Sequence, residues 1–293
     1  MPSPLVVFGC GYVGEHLARA AVADGQPVRA CRRNTGALSS LAALGAEVRA
    51  IDAAKHKQFG PALFGLAAPS VVYAIPPSPG MPAGEGVRRA GQAALLAGAR
   101  TFVYLGSAGL YGNRPDEEWV DEDRAIDLYD GSMAARCSDE MALQALASSG
   151  LRTVVLRLAA IYGPGRGIRD KLRRGVYKLT GDGNLWFSRI HVLDLVTIIR
   201  AAVERAPGGA VYLVGDDRPT RQIEYATWLA EHLGLPAPVP PASPPAIVAH
   251  RARRLRNDRV KRDLGITLAY PSFIEGEAQI DAAEAEQERA RQT

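Results

Sequence analysis

The chain has 293 residues, of which 47% are hydrophobic and 23% are charged, as expected of a soluble globular protein with a sizeable core. Its formal net charge of +4 is too small, and too concentrated between positions 251 and 262, to indicate a nucleic-acid partner. No segment is long and apolar enough to predict a membrane span, and the three cysteines show no metal-binding spacing. We therefore expect a cytoplasmic protein in a reducing compartment, without a membrane partner or a metal ion.

The first predicted element is a short apolar strand, at residues 5–8, that ends in a glycine-rich turn. A helix is predicted from Glu15 to Asp24, because apolar residues recur there at helical spacing.

Glycines in the pattern G-x-G-x-x-G between a strand and a helix are typical of a dinucleotide-binding site. Gly9 permits the tight turn, Gly11 lets the backbone approach a pyrophosphate, and Gly14 lets the helix pack on the strand. The N-terminus of the helix offers free N–H groups to the phosphates. A glycine turn without a ligand is the alternative. The predicted cofactor contacts here are Gly9, Gly11, Tyr12, Val13 and Gly14.

Two arginines follow the second predicted strand, at residues 28–31. In a dinucleotide-binding fold, the end of this strand faces the ribose of the adenosine half of the cofactor. An acidic residue there binds the 2′-hydroxyl of NAD, whereas an arginine accommodates the 2′-phosphate of NADP. Arg32 and Arg33 occupy this place and no carboxylate does, which favours NADP over NAD. A basic turn that is simply exposed to solvent is the alternative interpretation.

Further strands alternate with predicted helices along the chain. Apolar runs predict strands at residues 48–51, 70–74, 101–105, 154–158 and 211–214. Strands that alternate with helices imply an α/β fold with a doubly wound, parallel sheet of the Rossmann type.

The ends of the third and fourth strands supply further candidate cofactor contacts. Asp52 ends the third strand, and its carboxylate either accepts a hydrogen bond from the adenine amino group or caps the following turn. The fourth strand ends at Ala74 and runs into a proline-rich loop that contains Pro76. Because prolines stiffen a loop and lack an N–H donor, we expect this loop to form a wall beside the nicotinamide half of the cofactor.

The C-terminal part of the chain is predicted to begin with a helix at residues 223–233, followed by a proline-rich linker. We expect a basic helix from Pro245 to Arg256, a strand from Leu268 to Tyr270, and a closing helix after residue 273.

Four segments resemble the motifs of one protein family. The segment Gly106-Ser107-Ala108-Gly109-Leu110-Tyr111-Gly112 resembles the Ser-Ser-x-x-Val-Tyr-Gly segment of the extended short-chain dehydrogenase/reductases, the NAD-dependent epimerase/dehydratase family. An acidic loop at 118–123, the segment 157–165 with Tyr-Gly-Pro-Gly, and the segment 189–195 with Ile-His-Val are similar to later landmarks of that family, in the same order. The resemblance covers essentially the whole chain, and the joint match is highly specific.

This resemblance implies a cofactor lobe and a smaller C-terminal substrate lobe. We expect the cofactor lobe to comprise residues 1–162 plus 190–215, and the substrate lobe to comprise residues 163–189 plus 216–293. The resemblance also implies a homodimer that forms through helices flanking the central strands.

The chain departs from the family at the usual catalytic pair. Family members carry Tyr-x-x-x-Lys on the helix after the serine segment, and the lysine lowers the pKa of the tyrosine. No tyrosine of this chain has a lysine four residues later; Tyr129 is followed at that distance by Met133. Alignment on Glu140 instead gives Ser132 and Arg136. The chain therefore resembles an atypical branch that keeps the cofactor site and lacks this pair.

Three residues are candidates for the chemistry. The resemblance gives Ser107 the role of a hydrogen-bond donor to the substrate oxygen, although a serine at a strand end also commonly bonds to nearby backbone. Tyr111 is a candidate proton donor, or else a packing aromatic with its hydroxyl satisfied internally. Tyr129 remains a candidate. Without a nearby cation its pKa would stay at about 10, so it would be a poor general base at neutral pH.

Other polar residues are assigned to the substrate region or to structure. Arg166, Arg169 and Arg189 are predicted to bind a carboxylate or phosphate of the substrate, or else to form an exposed basic face. His191 belongs to a stretch that the family uses for packing between lobes, which makes catalysis by His191 the lesser possibility. Asp194 is expected to cap the helix that follows it.

The sequence thus predicts an NAD(P)-dependent oxidoreductase or epimerase of a small-molecule substrate, with hydride transfer to or from the nicotinamide. Because the Tyr–Lys pair is missing, two alternatives remain. One is a dinucleotide-binding sensor or scaffold without turnover. The other is a redox-neutral dehydratase or isomerase on the same fold.

Overall fold

The computed structural model describes residues 2–55, 58–78, 80–112, 118–126, 133–241 and 252–292. The strands are β1 Leu5–Phe8, β2 Val28–Arg32, β3 Glu47–Ala50, β4 Ser70–Tyr73, β5 Thr101–Ser107, β6 Trp119–Val120, β7 Thr153–Leu158, β8 Ala160–Tyr162, β9 Trp186–Phe187, β10 Arg189–His191, β11 Ala210–Val214, β12 Thr220–Arg221 and β13 Arg254–Leu255. The α-helices are α1 Tyr12–Ala23, α2 Ser39–Ala43, α3 Phe59–Leu63, α4 Glu85–Leu96, α5 Ala134–Ser148, α6 Arg169–Arg173, α7 Val192–Arg205, α8 Gln222–His232, α9 Asp258–Leu264 and α10 Phe273–Gln292.

A seven-stranded parallel sheet forms the centre of the fold, in the order β11-β7-β5-β4-β1-β2-β3. Separate hydrophobic clusters cover its two faces, one built with α1 and α7 and the other with α3, α4 and α5. The predicted doubly wound sheet of the Rossmann type is confirmed.

The inner strands are buried on both faces, which explains their composition. All four residues of β1 and all four of β4 are buried. A strand that is covered on both sides needs apolar side chains at successive positions rather than at alternate ones. This is why continuous apolar runs in the sequence were sufficient to predict these strands.

The order of the strands reverses between β1 and β4, which lie side by side with Phe8 opposite Tyr73. The chain runs from β1 outward to β2 and β3 on one side, and from β4 outward to β5 and β7 on the other. Doubly wound sheets have their ligand crevice at the carboxyl ends of the strands where the order reverses. The glycine turn follows β1 and the proline-rich loop follows β4, so both border this crevice.

Three small two-stranded sheets pair β10 with β8, β12 with β9, and β13 with β6. A further hydrophobic cluster joins α6, α8 and α10. Its buried members are Tyr162, Leu172, Tyr225, Leu229, Ala230, Phe273 and Ile280. Across the described segments, no helix has the length and apolar character that a membrane span requires.

The predicted helix from Pro245 to Arg256 is wrong where the structure describes it. Arg254 and Leu255 form β13, parallel to β6, and the rest of that prediction lies mostly outside the described residues. Leu255 packs with Tyr111 in a small hydrophobic cluster, and the Arg254 guanidinium lies over the Trp119 ring at 5.2 Å. These contacts with remote residues override the local helical spacing.

The predicted strand from Leu268 to Tyr270 is also wrong, because this segment has no strand partner among the described residues. The Asp194 carboxylate accepts the backbone N–H groups of Ala269 and Tyr270 at 2.9 and 2.8 Å. A side chain therefore satisfies the donors that a sheet would otherwise pair. The closing helix is present as α10.

Candidate active site

The three glycines of the turn have different surroundings. A Cβ atom at Gly9, which has φ +86°, would lie 2.8 Å from the backbone of Ala74. At Gly14 it would lie 2.9 Å from a Val7 methyl group, because α1 packs directly on β1 there. At Gly11 the nearest atom, the carbonyl oxygen of Gly9, is 3.9 Å away. Gly9 and Gly14 are thus required by packing, whereas the space beside Gly11 is open.

The N-terminus of α1 fits an anionic group. Gly11 is its N-cap. A glycine has no side chain that could accept hydrogen bonds from the N–H groups of the first turn. The backbone N–H groups that follow Gly11 are therefore available to an external acceptor, and the helix dipole favours a negative one. Together with the open side of Gly11, this arrangement fits the pyrophosphate of a dinucleotide.

Tyr12 and Val13 form the first turn of α1. Val13 is buried in the core, and Tyr12 is half-buried, with its ring and the His16 ring in an edge-to-face pair at a centroid distance of 4.9 Å. Burial raises the pKa of Tyr12 to about 12, and its hydroxyl has no hydrogen-bond partner among the described residues. The phenol is therefore protonated at neutral pH.

Arg32 and Arg33 lie at the carboxyl end of β2. Arg32 is half-buried and Arg33 is exposed. Burial raises the pKa of the Cys10 thiol to about 12, while the positive charge of Arg32 acts on it in the opposite direction. Arg32 is thus near the glycine turn, and within the described ranges no carboxylate is paired with it.

The remaining candidate cofactor contacts lie just after β3 and β4. One oxygen of the Asp52 carboxylate accepts the N–H of Ala54 at 3.2 Å, so Asp52 caps the turn after β3. The N–H of Ala74 donates to the carbonyl oxygen of Phe8 at 2.8 Å, which holds the two sides of the crevice together. Pro76 is exposed two residues later.

Ser107 ends β5 at the same edge of the sheet. Its hydroxyl oxygen accepts the N–H of Gly109 at 3.0 Å and caps a short 3₁₀ helix at Ala108–Tyr111. The side chain is half-buried, and its own O–H remains available as a donor. The structure therefore shows the local backbone bond, and this bond does not use the hydrogen of the Ser107 hydroxyl.

Tyr111 ends the 3₁₀ helix that Ser107 caps, and it is fully buried. The Arg157 guanidinium donates to its hydroxyl, and Arg157 also donates to the Glu140 carboxylate at 2.8 Å. Burial raises the pKa of Tyr111, although the charge of Arg157 opposes this effect. Tyr129, the third catalytic candidate, lies outside the described residues.

The three predicted substrate arginines have different environments. Arg169 is buried and donates to Glu277, Asp281 and Glu284 at 2.6, 2.5 and 3.0 Å. The guanidinium of Arg169 is therefore paired with carboxylates of the same chain.

Arg189 is also buried, with its guanidinium 4.2 Å from the centroid of the Tyr225 ring and hydrogen-bonded to Thr220 at 2.5 Å. Arg166 is exposed and lies over the Tyr12 ring.

His191 is packed in the interior of the protein. It is fully buried between the rings of Tyr162 and Tyr270, at centroid distances of 5.2 and 4.3 Å, and Nδ1 accepts the N–H of Leu193. Burial lowers the pKa of His191 to about 4. His191, and not Asp194, is thus the N-cap of α7; the expected cap at Asp194 is wrong because its carboxylate binds the backbone of residues 269 and 270.

Two buried ionisable groups, Arg253 and Asp216, were not predicted from the sequence. Arg253 precedes β13, and its Nε donates to the carbonyl oxygen of Gly112 at 3.0 Å, at the end of the serine segment. Asp216 follows β11. Burial raises the pKa of its carboxyl well above the usual value, and the positive charge of Arg189 offsets only part of this effect. The signal for Arg253 was present in the basic cluster between 251 and 262, but the helix predicted there obscured it.

Comparison with known proteins agrees with this geometry. Residues 5–215 match the model of the NAD dependent epimerase/dehydratase family. The chain is 34% identical over 214 residues to a 3-diazoavenalumate denitrifying reductase of a Streptomyces species, covering 66% of this chain and 68% of that protein.

Two solved structures show the same fold. A conserved protein of unknown function from Silicibacter pomeroyi DSS superposes with a TM-score of 0.82 at 30% identity, covering 96% of this chain and 99% of that one. The dTDP-glucose 4,6-dehydratase DesIV of Streptomyces venezuelae, solved with NAD, superposes with a TM-score of 0.82 at 20% identity, covering 94% and 95%. The chain therefore belongs to the NAD-dependent epimerase/dehydratase family and is an NAD(P)-dependent enzyme of the extended short-chain dehydrogenase/reductase type.

Proposed function

We propose that this enzyme is an NADP-preferring oxidoreductase that transfers a hydride between the nicotinamide and a carbon atom of a small-molecule substrate. The observation that carries the proposal is the pairing of two features at one crevice. The open space beside Gly11 suits a pyrophosphate, and Arg32, which has no carboxylate partner among the described residues, suits a 2′-phosphate. The reductase named among the relatives supports the redox assignment.

The bound cofactor would supply or accept the hydride. The chain would bind the pyrophosphate through the backbone N–H groups of Tyr12 and Val13 at the N-terminus of α1, and Gly11 would allow the close approach. Ala74 and Pro76 would form the wall beside the nicotinamide, in a segment that has few N–H donors.

Ser107 would orient the substrate by donating its hydroxyl hydrogen to the substrate oxygen. This role is compatible with the observed bond from Gly109, because a hydroxyl oxygen accepts and donates at the same time. The proton would come from Tyr111 or Tyr129. Since the Tyr111 hydroxyl is held by Arg157 in the interior, Tyr129 is the better candidate for the proton donor.

An acidic group on the substrate would bind near Arg189, whose guanidinium is fixed by the Tyr225 ring and Thr220. Arg169 is not part of this proposal, because three carboxylates of the chain already surround it.

The assembly and organisation of the enzyme are proposed from the family resemblance. We propose a cytoplasmic homodimer that forms through α4 and α5. Leu96 on α4 and Met141 on α5 support this, since they are 89% and 68% exposed. The cofactor lobe at 1–162 plus 190–215 and the substrate lobe at 163–189 plus 216–293 are likewise proposals.

Substitution of Arg32 tests the cofactor preference. Arg32→Ala removes the cation assigned to the 2′-phosphate, so we expect NADPH binding to weaken by about 10- to 100-fold, the range for a lost charge-assisted hydrogen bond. NADH binding should change little. Both dissociation constants are measured by titration calorimetry. Equal losses for the two cofactors would contradict the assignment of Arg32.

A further inference from the structure

A tight turn from the substrate region lies directly on the glycine turn. Gly163 and Arg166 form a closed four-residue turn, in which each backbone N–H donates to the carbonyl oxygen of the other at 3.0 and 2.9 Å. Pro164 and Gly165, with φ +70°, occupy the two central positions. The turn is therefore stiff, and it fixes where the side chain of Arg166 begins.

Tyr12 is the residue on which this turn rests. A Cβ atom at Gly163 would lie 2.6 Å from the Tyr12 hydroxyl and 2.7 Å from a Val192 methyl group, so only glycine permits the approach. The Arg166 guanidinium lies over the Tyr12 ring, 5.2 Å from its centroid. Tyr12 is also the first residue of α1, at the helix end proposed for the pyrophosphate.

The glycine turn itself carries no basic residue between positions 9 and 14. Glu15, in the first turn of α1, is an acid that disfavours an anion, and its carboxylate is paired with Arg19 at 3.0 Å. Arg166 is an exposed cation in contact with Tyr12, and in the described part of the chain no carboxylate is paired with it.

We propose that Arg166 is a cofactor-binding residue that contacts the pyrophosphate of the dinucleotide together with the N-terminus of α1. The ring of Tyr12 holds the guanidinium by its face and leaves the N–H groups at its edge free to donate to phosphate oxygens. This assignment rests on the proposed dinucleotide binding and replaces the sequence-based expectation that Arg166 binds the substrate. It makes the turn at 163–166 a contact between the substrate region and the cofactor.

The test compares two single charge removals. Arg166→Gln should weaken both NADH and NADPH binding by about tenfold relative to the wild type, because the pyrophosphate is common to both. Arg174→Gln is the matched control, since Arg174 is an exposed arginine of the same region whose Nε donates to the carbonyl oxygen of Asp170. The control should leave both affinities unchanged. Titration calorimetry gives the affinities, and adenosine, which lacks phosphate, should bind the two variants equally.

A second pair of variants tests the role of the ring. In a Tyr12→Leu background, Arg166→Gln should cost less affinity than in the wild type, because the guanidinium has already lost its platform. Arg166→Lys, which keeps the charge but not the flat fork, should fall between the wild type and Arg166→Gln.

The outcomes separate this proposal from the one on which it rests. If the wild type binds neither cofactor, the proposed function fails. If the wild type binds and Arg166→Gln behaves like Arg174→Gln, only the role of Arg166 is overturned. A loss confined to NADPH would place Arg166 at the 2′-phosphate and also overturn the proposal.

Discussion

The glycines of the turn differ in what a methyl group at each position would meet. At Gly9 it would meet the backbone of Ala74 at 2.8 Å, and the positive φ of +86° adds strain. At Gly11 it would project into open space, with the nearest atom at 3.9 Å. An alanine at Gly9 therefore disturbs the fold, whereas an alanine at Gly11 disturbs only a molecule that approaches the turn from outside.

Tyr111 is a residue whose chemistry the interior of the protein has changed. Its hydroxyl is bonded to Arg157, and burial raises its pKa. We expect Tyr111→Phe to lower the free energy of unfolding by about 1 kcal/mol, because Arg157 loses one buried partner. Turnover should fall by only a few-fold. Urea unfolding and steady-state kinetics measure the two effects; a collapse of turnover at unchanged stability would instead make Tyr111 the proton donor.

Some residues of the candidate site could be placed from the sequence, and others could not. The places of Gly11, Arg32 and Ser107 at the carboxyl ends of strands could be predicted, because each follows or ends an apolar run in the sequence. The contact of Arg253 with Gly112 and the pairing of Arg157 with Glu140 could not, since they join residues 141 and 17 positions apart. No local pattern records such tertiary contacts.

At the scale of elements, the strands of the central sheet were predictable because burial on both faces demands continuous apolar runs. The two-residue strand β13 was not, since it depends on pairing with β6, more than a hundred residues away. Residues 268–270 have the composition of a strand, but the Asp194 carboxylate accepts hydrogen bonds from the N–H groups of Ala269 and Tyr270. Elements defined by remote partners thus escape a local pattern.

The closing helix α10 is held to α6 by Arg169. This guanidinium is buried and contacts Glu277, which is 1% exposed, at 2.6 Å. We expect Arg169→Gln to lower the free energy of unfolding by about 3 kcal/mol, because it leaves a buried carboxylate without its cation. Arg173→Gln, on the same helix, removes an exposed pair with Glu284 and should cost less than about 1 kcal/mol. Urea unfolding compares the two variants, and equal costs would contradict this role of Arg169.

The same cluster makes stability depend on acidity. Burial raises the pKa of Asp281, but hydrogen bonds from Arg169 and His232 outweigh it and hold the pKa below its usual value. The Arg173 hydrogen bond likewise lowers the pKa of Glu284. Groups with a lowered pKa in the folded state contribute stability above about pH 4, and that contribution is lost as the pH falls further. Stability curves of Arg169→Gln against pH should therefore be flatter than those of the wild type below about pH 4.

At the scale of the whole molecule, the order of the strands assembles the proposed cofactor site. The glycine turn after β1, the arginines after β2 and the loop after β4 are separated along the chain, but adjacent strands bring them to one edge of the sheet. The sequence predicted this convergence, because parallel strands joined by helices place all their carboxyl ends together. The identity of the substrate has no such general rule, because one fold serves many different chemistries.

The most direct test of dinucleotide binding at the glycine turn is calorimetric titration of the wild type and of Gly11→Ala with NADPH and NADH. We expect the wild type to bind NADPH more tightly than NADH, and Gly11→Ala to weaken the binding of both by roughly tenfold or more at an unchanged melting temperature. Gly208→Ala is the control, because its Cβ would also be accommodated, 3.6 Å from Arg152, far along the chain from the turn. A wild type that binds neither cofactor, or a Gly11→Ala variant that binds as the wild type does, would contradict dinucleotide binding at this turn.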